Sequence, residues 1–407
     1  MKTYPLTESQ LGLFLEWNAD RDSAQYSLAY VYRLPKSADC DRLEKAIRAY
    51  LDAHPVFRTR LVETDGAVEQ GVDGSIEFPF LCSEMSDAEA DRYEKTFPHP
   101  FDLMSGPLMR YEFVTTPSGV RLFAEYAHII VDGSSIHQMT DSISALYNGG
   151  EPVPESVPFE ECVKLEAAAL KGAEYEAAAA EAKARFAGKA MTVPEGGAAD
   201  AAASDGANFF QFSAKLPRTA IDAFCRARSV RPNLFFMGVF ARTLSLYANE
   251  RDVVFQTVNH GRKDPRLKST QGFLVKTLPV LAEMNGGLSL EDYFDSLRIH
   301  RAGVYPFTHF CRDLGIKPGW GFVYQEGTTS YRIALGTSVT DGVLLAGAAH
   351  AHPHGLRSGG RAIIDGSVGD IQTGKCADHA LILEYVPERT LADFALVWSV
   401  GRDEFRT

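Results

Sequence analysis

The spacing of apolar residues along the chain predicts a mixture of strands and helices in both of its halves. Apolar side chains alternate over residues 25–34, which predicts a strand, and a hairpin is predicted over residues 108–130 around Pro117-Ser118-Gly119. Helical spacing predicts helices over residues 43–51 and after Gly133. The same mixture recurs after residue 207, with a nearly all-apolar helix predicted over residues 232–247. The pattern therefore predicts an α/β protein with mixed sheets flanked by helices.

The middle of the chain differs from both halves. Residues 166–190 are rich in Ala, Glu and Lys, which favours helix, whereas residues 196–206 are small and polar. We therefore expect an N-terminal lobe over residues 1–165, a helical and Gly/Ala-rich connection over residues 166–206, and a C-terminal lobe over residues 207–407.

Composition and charge narrow the class of protein. The 407 residues carry a net charge of −12, and no run of Lys or Arg is present, so nucleic acid is not an expected partner. The six cysteines have no CxxC spacing, which is typical of reduced thiols in a cytosolic protein. No window of 18 apolar residues and no apolar signal core occur, so we expect a cytoplasmic protein without a membrane segment.

Residues 125–135 carry the candidate chemistry. An alternating strand leads into His128, three aliphatic residues follow, and Asp132 precedes the predicted start of a helix. Imidazole is the side chain best suited to accept a proton near neutral pH, and the backbone N–H groups of Gly133–Ser135 at a helix start could stabilise an oxyanion. This pattern favours acyl transfer. On spacing alone, a core histidine hydrogen-bonded within a sheet is the more frequent outcome.

Further motifs accompany this segment. Ala127–Gly133 resembles the His-His-x-x-x-Asp-Gly motif of the condensation domains of nonribosomal peptide synthetases, which belong to the chloramphenicol acetyltransferase-like superfamily. Five other blocks resemble family motifs in the same order: Leu6–Phe14, His54–Leu61, Gln271–Pro279, Tyr305–Phe307 and Phe322–Gln325. Each block is weak alone, but six in order cover almost the whole chain. The chain is therefore identified as similar to this family.

The resemblance implies a fold and a reaction. The fold is two acetyltransferase-like lobes forming a V-shaped pseudodimer, with His128 as the catalytic residue at the base of a tunnel between them. The implied reaction is amide formation between a carrier-bound acyl or aminoacyl thioester donor and an amine acceptor. The substrates arrive on phosphopantetheine arms of carrier proteins, so the expected partners are peptidyl or acyl carrier proteins and neighbouring synthetase domains, with no covalently bound cofactor.

The resemblance also implies roles for individual residues. Asp132 is expected to be structural and to pair with an arginine, for which Arg58 is the first candidate and Arg262 the second. Gly133 is expected to allow the turn. The candidates for the oxyanion site or the tunnel wall are Ser134, Ser135, Tyr324 and Gln325.

Three positions depart from the family pattern. Ala127 replaces the first motif histidine, Ala53 stands where the second motif begins with arginine, and Lys276 replaces an asparagine. These changes leave two other hypotheses open, namely a degenerate docking domain of the same fold and a stand-alone acyltransferase that uses coenzyme A thioesters. Because the first motif starts close to Met1, a starter role with a fatty-acyl donor is a further expectation.

No metal site is expected. His350, His352 and His354 alternate, which would place them on one face of a strand, but Pro353 and the glycines that follow favour a loop. No carboxylate or cysteine accompanies them at the spacing of metal ligands.

Overall fold

A computed structural model describes residues 1–24, 26–192, 218–284, 287–299, 303–317, 319–325 and 331–345, and the backbone of three further strands. At Arg218 and Gln325 the description is limited to the backbone. The helices in these ranges are Glu8–Ala19 (α1), Cys40–Ala53 (α2), Asp87–Thr96 (α3), Gly133–Tyr147 (α4), Phe159–Ala169 (α5), Ala173–Arg185 (α6), Arg218–Ala227 (α7), Pro232–Ala248 (α8), Leu290–Ser296 (α9) and Phe307–Leu314 (α10). Short 3₁₀ turns occur at Pro55–Arg58, His128–Ile130 and Pro265–Leu267.

The strands fall into several sheets. They are Thr3–Pro5 (β1), Ser27–Arg33 (β2), Thr59–Thr64 (β3), Ala67–Val72 (β4), Phe80–Glu84 (β5), Met109–Thr116 (β6), Gly119–Ala127 (β7), Asp252–Asn259 (β8), Lys276–Glu283 (β9), Gly321–Gln325 (β10), Tyr331–Leu335 (β11), Ser338–Leu344 (β12), Arg361–Asp365 (β13), Leu381–Leu383 (β14) and Leu396–Trp398 (β15). The sheet orders are β1-β4-β3, β11-β12-β2-β7-β6-β5, β13-β10-β8-β9 and β14-β15.

The six-stranded sheet is buried on both faces. The tyrosines of β2 pack in one core with apolar residues of α2 and α4, while Ala29 and Val31 pack on the opposite face with Phe97 and Phe123. Because successive residues of a strand point to opposite faces, β2 buries six of its seven residues. This sheet carries the candidate histidine, which follows directly after β7.

The four-stranded sheet lies in the second half. β8 and β9 are antiparallel, whereas β10 lies parallel to both β8 and β13. The apolar helix α8 packs on this sheet, as its composition predicts, and it shares a core with Phe255 and Phe322.

Two helix predictions differ from the structure. The single helix expected over residues 166–190 is two helices, α5 and α6, separated at Leu170–Gly172, where Gly172 caps the start of α6. The sequence pattern also predicts a final helix from Thr390 to about Phe405. This prediction is wrong at its centre, because residues 396–398 form β15 and pair with β14. The sequence pattern predicts a strand over residues 209–216, and these residues lie outside the described ranges.

Residues 331–344 cross from one half of the chain to the other. β12 pairs with β2 through Gly342↔Tyr32, Val343↔Val31 and Leu344↔Tyr30, and β11 pairs with β12. The expected C-terminal lobe is therefore not continuous in space, since this hairpin extends the N-terminal sheet. The sequence pattern predicts strands over residues 331–336 and 343–348. The first prediction matches β11, whereas β12 begins five residues earlier than predicted, at Ser338. The sheet that they join is not predictable from the pattern, because an edge strand can pair with any exposed edge of matching register.

Candidate functional site

His128 stands where β7 ends and a 3₁₀ turn begins. Its backbone N–H donates to the Tyr26 carbonyl at 2.7 Å, and the Val131 N–H donates back to its carbonyl at 3.3 Å. The half-buried ring packs edge-on against Phe273, with 5.1 Å between ring centroids. The histidine is thus held at a strand end, rather than within the sheet.

The ring of His128 has a defined hydrogen-bonding orientation. Its Nδ1 lies 2.7 Å from the Val131 carbonyl oxygen. A carbonyl oxygen accepts only, so Nδ1 must carry the proton, and the lone pair of the neutral imidazole is then on Nε2. This is the tautomer that a proton acceptor requires at Nε2.

A small, mainly apolar cavity adjoins His128. It has a volume of about 20 Å³, and its wall includes Ala127, Trp17, Ser27 and Phe101. A space of this size holds one or two groups as large as a water molecule. The alanine that replaces the first motif histidine is buried at the wall of this cavity, so a larger side chain at position 127 would project towards it.

Asp132 caps the helix that follows. Its Oδ1 accepts the N–H of Ser135 at 2.9 Å, which satisfies one of the free donors at the start of α4. Its Oδ2 accepts from Arg262 Nη1 at 2.7 Å and from the N–H of Leu274 at 2.9 Å. The carboxylate is fully buried, and three donors from three parts of the chain compensate its lost hydration.

The structure corrects the partner of Asp132. The first candidate, Arg58, instead pairs with Asp52 at 2.7 Å and stacks on the ring of Phe78. The side chain of Asp52 is 62% exposed, so this ion pair is at the surface. The second candidate, Arg262, forms the buried pair with Asp132. Ala53 is exposed at the end of α2, and the missing arginine there does not leave Asp132 unpaired.

Arg262 joins two distant motifs. Its Nη2 donates to the Ser135 hydroxyl at 2.9 Å and to the Thr270 carbonyl at 3.1 Å. The preceding Gly261 has φ +72°, and a Cβ there would lie 1.7 Å from the Leu274 carbonyl oxygen. The backbone at this turn therefore requires glycine, and this turn carries Arg262 to Asp132.

Ser135 is a structural residue, which corrects its predicted role at an oxyanion. Its N–H is used by Asp132, and its hydroxyl donates to the Gly272 carbonyl at 2.8 Å while accepting from the Gly272 N–H at 3.1 Å. Both groups are therefore bonded within the protein. Gly272 has φ +133°, and a Cβ there would lie 2.2 Å from the ring of Phe159, so it also must be glycine.

Gly133 does not serve the predicted purpose either. It is the first residue of α4 and does not have the positive φ that would require glycine. A Cβ on Gly133 would instead lie 3.3 Å from the Tyr331 hydroxyl, so the small residue gives room to the first strand of the β11–β12 hairpin.

The remaining candidates lie at separate places. Ser134 is half-buried in the first turn of α4. Tyr324 stacks on Phe236, with ring centroids 5.5 Å apart, at the edge of the second core. Gln325 ends β10, and its side chain lies outside the described residues. Their roles at an oxyanion or a tunnel stay predictions.

The second motif is also bound into this network. His54 Nδ1 lies 2.7 Å from Glu155 Oε1, and both side chains are buried. The same oxygen accepts the N–H of Gln271 at 3.3 Å. Sequence reasoning missed Glu155 because no motif contains it, and the Pro-rich segment over residues 151–158 gives no signal that distinguishes Glu155 from Glu151.

A buried charged cluster lies on the same sheet as His128. Glu125 is two residues before Ala127, accepts the His99 N–H at 2.8 Å and pairs with Arg110 at 2.5 Å. Burial raises the pKa of the Glu125 carboxyl to about 7, although Arg110 opposes this shift.

Neither a metal site nor a membrane-spanning helix is found in the described ranges. Within them, no group of three or more His, Cys, Asp or Glu side chains is arranged to hold a metal ion. The alternating histidines His350, His352 and His354 lie outside the described residues. No helix in the described part of the chain is long and apolar enough to cross a bilayer.

Known proteins are similar to this chain in sequence. The model of the condensation domain family matches residues 1–317. Tyrocidine synthase 3 of Brevibacillus parabrevis is 22% identical over 315 residues, which is 76% of this chain but only 5% of the length of that synthase. The chain thus spans a small part of this curated relative.

Solved structures show the same fold. The starter condensation domain of rhizomide synthetase in complex with C8-CoA is similar with a TM-score of 0.69 and 19% identity, over 86% of this chain and 84% of that one. The condensation domain from the monacolin K polyketide synthase has a TM-score of 0.71 and 16% identity, over 84% and 85% of the two chains. With the family model matched over most of its length, the chain belongs to the condensation domain family and has its chloramphenicol acetyltransferase-like fold.

Proposed function

We propose that this chain catalyses amide bond formation between an acyl or aminoacyl thioester and an amine. Condensation domains are acyltransferases, and the observation that carries the proposal here is the orientation of His128. The bond from Nδ1–H to the Val131 carbonyl leaves the lone pair on Nε2, at the motif position that the family resemblance associates with catalysis.

In the proposed step the amine nitrogen attacks the thioester carbonyl carbon, and a proton leaves nitrogen for His128 Nε2. The C–S bond then breaks with its electron pair on sulfur, and the departing thiolate takes the proton from His128 and leaves as a thiol. A neutral Nε2 also suits a histidine that only orients the amine by accepting its hydrogen bond. Both roles need the tautomer described above, and both are lost in His128→Ala.

The substrates and partners are part of the same proposal. We infer that donor and acceptor arrive on phosphopantetheine arms of carrier proteins, that no cofactor is bound covalently, and that neighbouring synthetase domains are further partners. The domain similar to this chain in rhizomide synthetase is a starter domain seen with C8-CoA. This likeness supports a starter role with a fatty-acyl donor. A cytoplasmic location is also proposed, consistent with five unbridged cysteines in the described ranges.

The experiment mixes the purified chain with a donor-loaded carrier protein and an amine acceptor, and detects the condensed product by intact-mass measurement. We expect product from the parent and at least a 100-fold lower rate from His128→Ala. His309→Gln is the matched control, because this histidine lies outside the Ala127–Gly133 segment and contacts Tyr175 and Glu8. Equal rates for His128→Ala and the parent would rule out the assigned chemistry.

Ala127 supports a second candidate function. A domain that lacks the first motif histidine could retain the fold and recruit carriers or tailoring enzymes without turnover. Stable binding of a loaded carrier without product would support this docking function. Product from a coenzyme A thioester in the absence of any carrier would instead support a stand-alone acyltransferase.

A further inference from the structure

Two glutamine side chains are buried against the turn that carries His128. Gln10 lies in the first turn of α1 and Gln70 lies on β4, and both are almost completely inaccessible. Their amides pair face to face, with Gln10 Nε2 donating to Gln70 Oε1 at 3.0 Å and Gln70 Nε2 donating to Gln10 Oε1 at 2.7 Å. Such a reciprocal pair fixes the orientation of both amides.

The remaining hydrogens of the pair reach the backbone. Gln10 Nε2 donates to the Ile129 carbonyl at 3.0 Å, and Gln70 Nε2 donates to the Pro5 carbonyl at 3.0 Å. Gln10 Oε1 also accepts the N–H of Thr7 at 3.0 Å. All four amide hydrogens are therefore used, and rotating either amide would place like groups against each other.

Ile129 is the centre of the 3₁₀ turn that begins at His128. A turn of three residues has few bonds of its own, and here the Val131 N–H to the His128 carbonyl is long at 3.3 Å. The bond from Gln10 ties the middle of this turn to α1 across 119 residues of sequence. The same turn sets the distance between His128 Nδ1 and the Val131 carbonyl.

We propose that Gln10 is a positioning residue that holds the His128 turn through its donor to the Ile129 carbonyl. Gln10 touches no reacting atom in this scheme. It acts by fixing the peptide next to His128, and thus the direction in which Nε2 points. Its effect on turnover rests on the proposed function, whereas its effect on the His128 ring does not.

Two substitutions at Gln10 and one at Gln70 test the proposal. Gln10→Glu retains the acceptor for Thr7 and Gln70 but loses the donor to Ile129, so the cap of α1 is preserved. Gln10→Met removes all four bonds without adding a charge, in case the buried carboxylate prevents folding. Gln70→Met is the matched control, because it breaks the amide pair while the Thr7 N–H still binds Gln10 Oε1 and leaves Gln10 Nε2 to donate to Ile129.

Each variant is measured in two ways on the whole chain. Nitrogen-15 NMR of labelled histidines, with His128 assigned from His128→Ala, reports its tautomer and the Nδ1 proton. Kinetics of amide formation separate kcat from KM. We expect both Gln10 variants to shift the His128 signals and to lower kcat about 10- to 100-fold at unchanged KM, since displacement of about 1 Å has effects of this size. Gln70→Met should lower the melting temperature with much smaller changes in both readouts.

The outcomes are distinct. Unchanged His128 signals and unchanged kcat in folded Gln10 variants would overturn the proposal, as would equally large changes in Gln70→Met. If the parent forms no amide but the Gln10 variants alone shift the His128 signals, the positioning role stands and the proposed function fails.

Discussion

Removing the guanidinium of Arg262 should destabilise the protein strongly, whereas removing that of Arg58 should not. In Arg262→Met the Asp132 carboxylate stays fully buried with only the N–H groups of Ser135 and Leu274 as donors. Removing one partner of a buried ion pair lowers the unfolding free energy by about 3–5 kcal/mol, because the other charge stays buried without its counter-ion. The Arg58–Asp52 pair has side chains 22% and 62% exposed, so Arg58→Met should cost less than about 1 kcal/mol.

The assay is equilibrium unfolding in urea at neutral pH, with both variants compared with the parent. The double variant Asp132→Asn/Arg262→Met separates charge from packing. A neutral Asn no longer needs a cation, so the double variant should be more stable than the sum of the two single effects by about 0.5–3 kcal/mol. If Arg262→Met costs no more than Arg58→Met, the buried pair is not what joins the two motifs, and the reasoning fails.

Three further predictions concern other parts of the fold. Burial raises the pKa of Glu125 from 4.5 to about 7, so its contribution to the unfolding free energy is complete below about pH 4.5. About 3 kcal/mol of this contribution is lost as pH rises from 4.5 to 7. Glu125→Gln should flatten this part of the profile of unfolding free energy against pH. Gly261→Ala should lower the unfolding free energy in urea at least twice as much as Gly66→Ala. Both glycines have positive φ, but only at Gly261 is there no room for a Cβ, so equal losses would contradict the close contact with Leu274. The exposed thiol of Cys82 should react with a disulfide reagent at pH 8 much faster than that of Cys162, whose pKa burial raises to about 11, and comparable rates would refute the described burial.

Short-range patterns predicted most of the elements that position the site. The pattern Thr7-Glu8-Ser9-Gln10 is typical of a capping box, and the structure contains one there. The strand before His128 and the helix after Asp132 are also present, because each depends on residues a few positions apart. The break between α5 and α6 also had a local signal, since Gly172 interrupts the Ala-rich run.

Long-range pairing was not predictable from spacing. Arg58 and Arg262 are equivalent as cations, and the choice between them depends on how the turn at Gly261 carries a residue 130 positions away to Asp132. Ser135 was predicted to face an oxyanion because helix N-termini often do. Its hydroxyl instead binds Gly272, which only the three-dimensional arrangement brings within reach.

The tautomer of His128 depends both on a local sequence pattern and on a long-range contact. The motif predicted an imidazole at the end of a strand, but the acceptor for Nδ1 is a backbone carbonyl three residues on. The Val131 carbonyl reaches Nδ1 because the chain makes a 3₁₀ turn at His128–Ile130. We propose that this turn is held by Gln10 of α1, which donates to the Ile129 carbonyl. The motif alone therefore does not determine which ring nitrogen holds the proton.

The pairing of β12 with β2 has a consequence for synthesis on the ribosome. The open edge of β2 is complete at Arg33, but Leu344, which ends its partner strand, follows only after about 300 more residues. At a translation rate of roughly 5–20 residues per second, about 15–60 s pass between the synthesis of β2 and the synthesis of β12. During that interval an unpaired strand of a nascent polypeptide can join a neighbouring one, so slow translation or crowded polysomes favour exchange of this hairpin between copies.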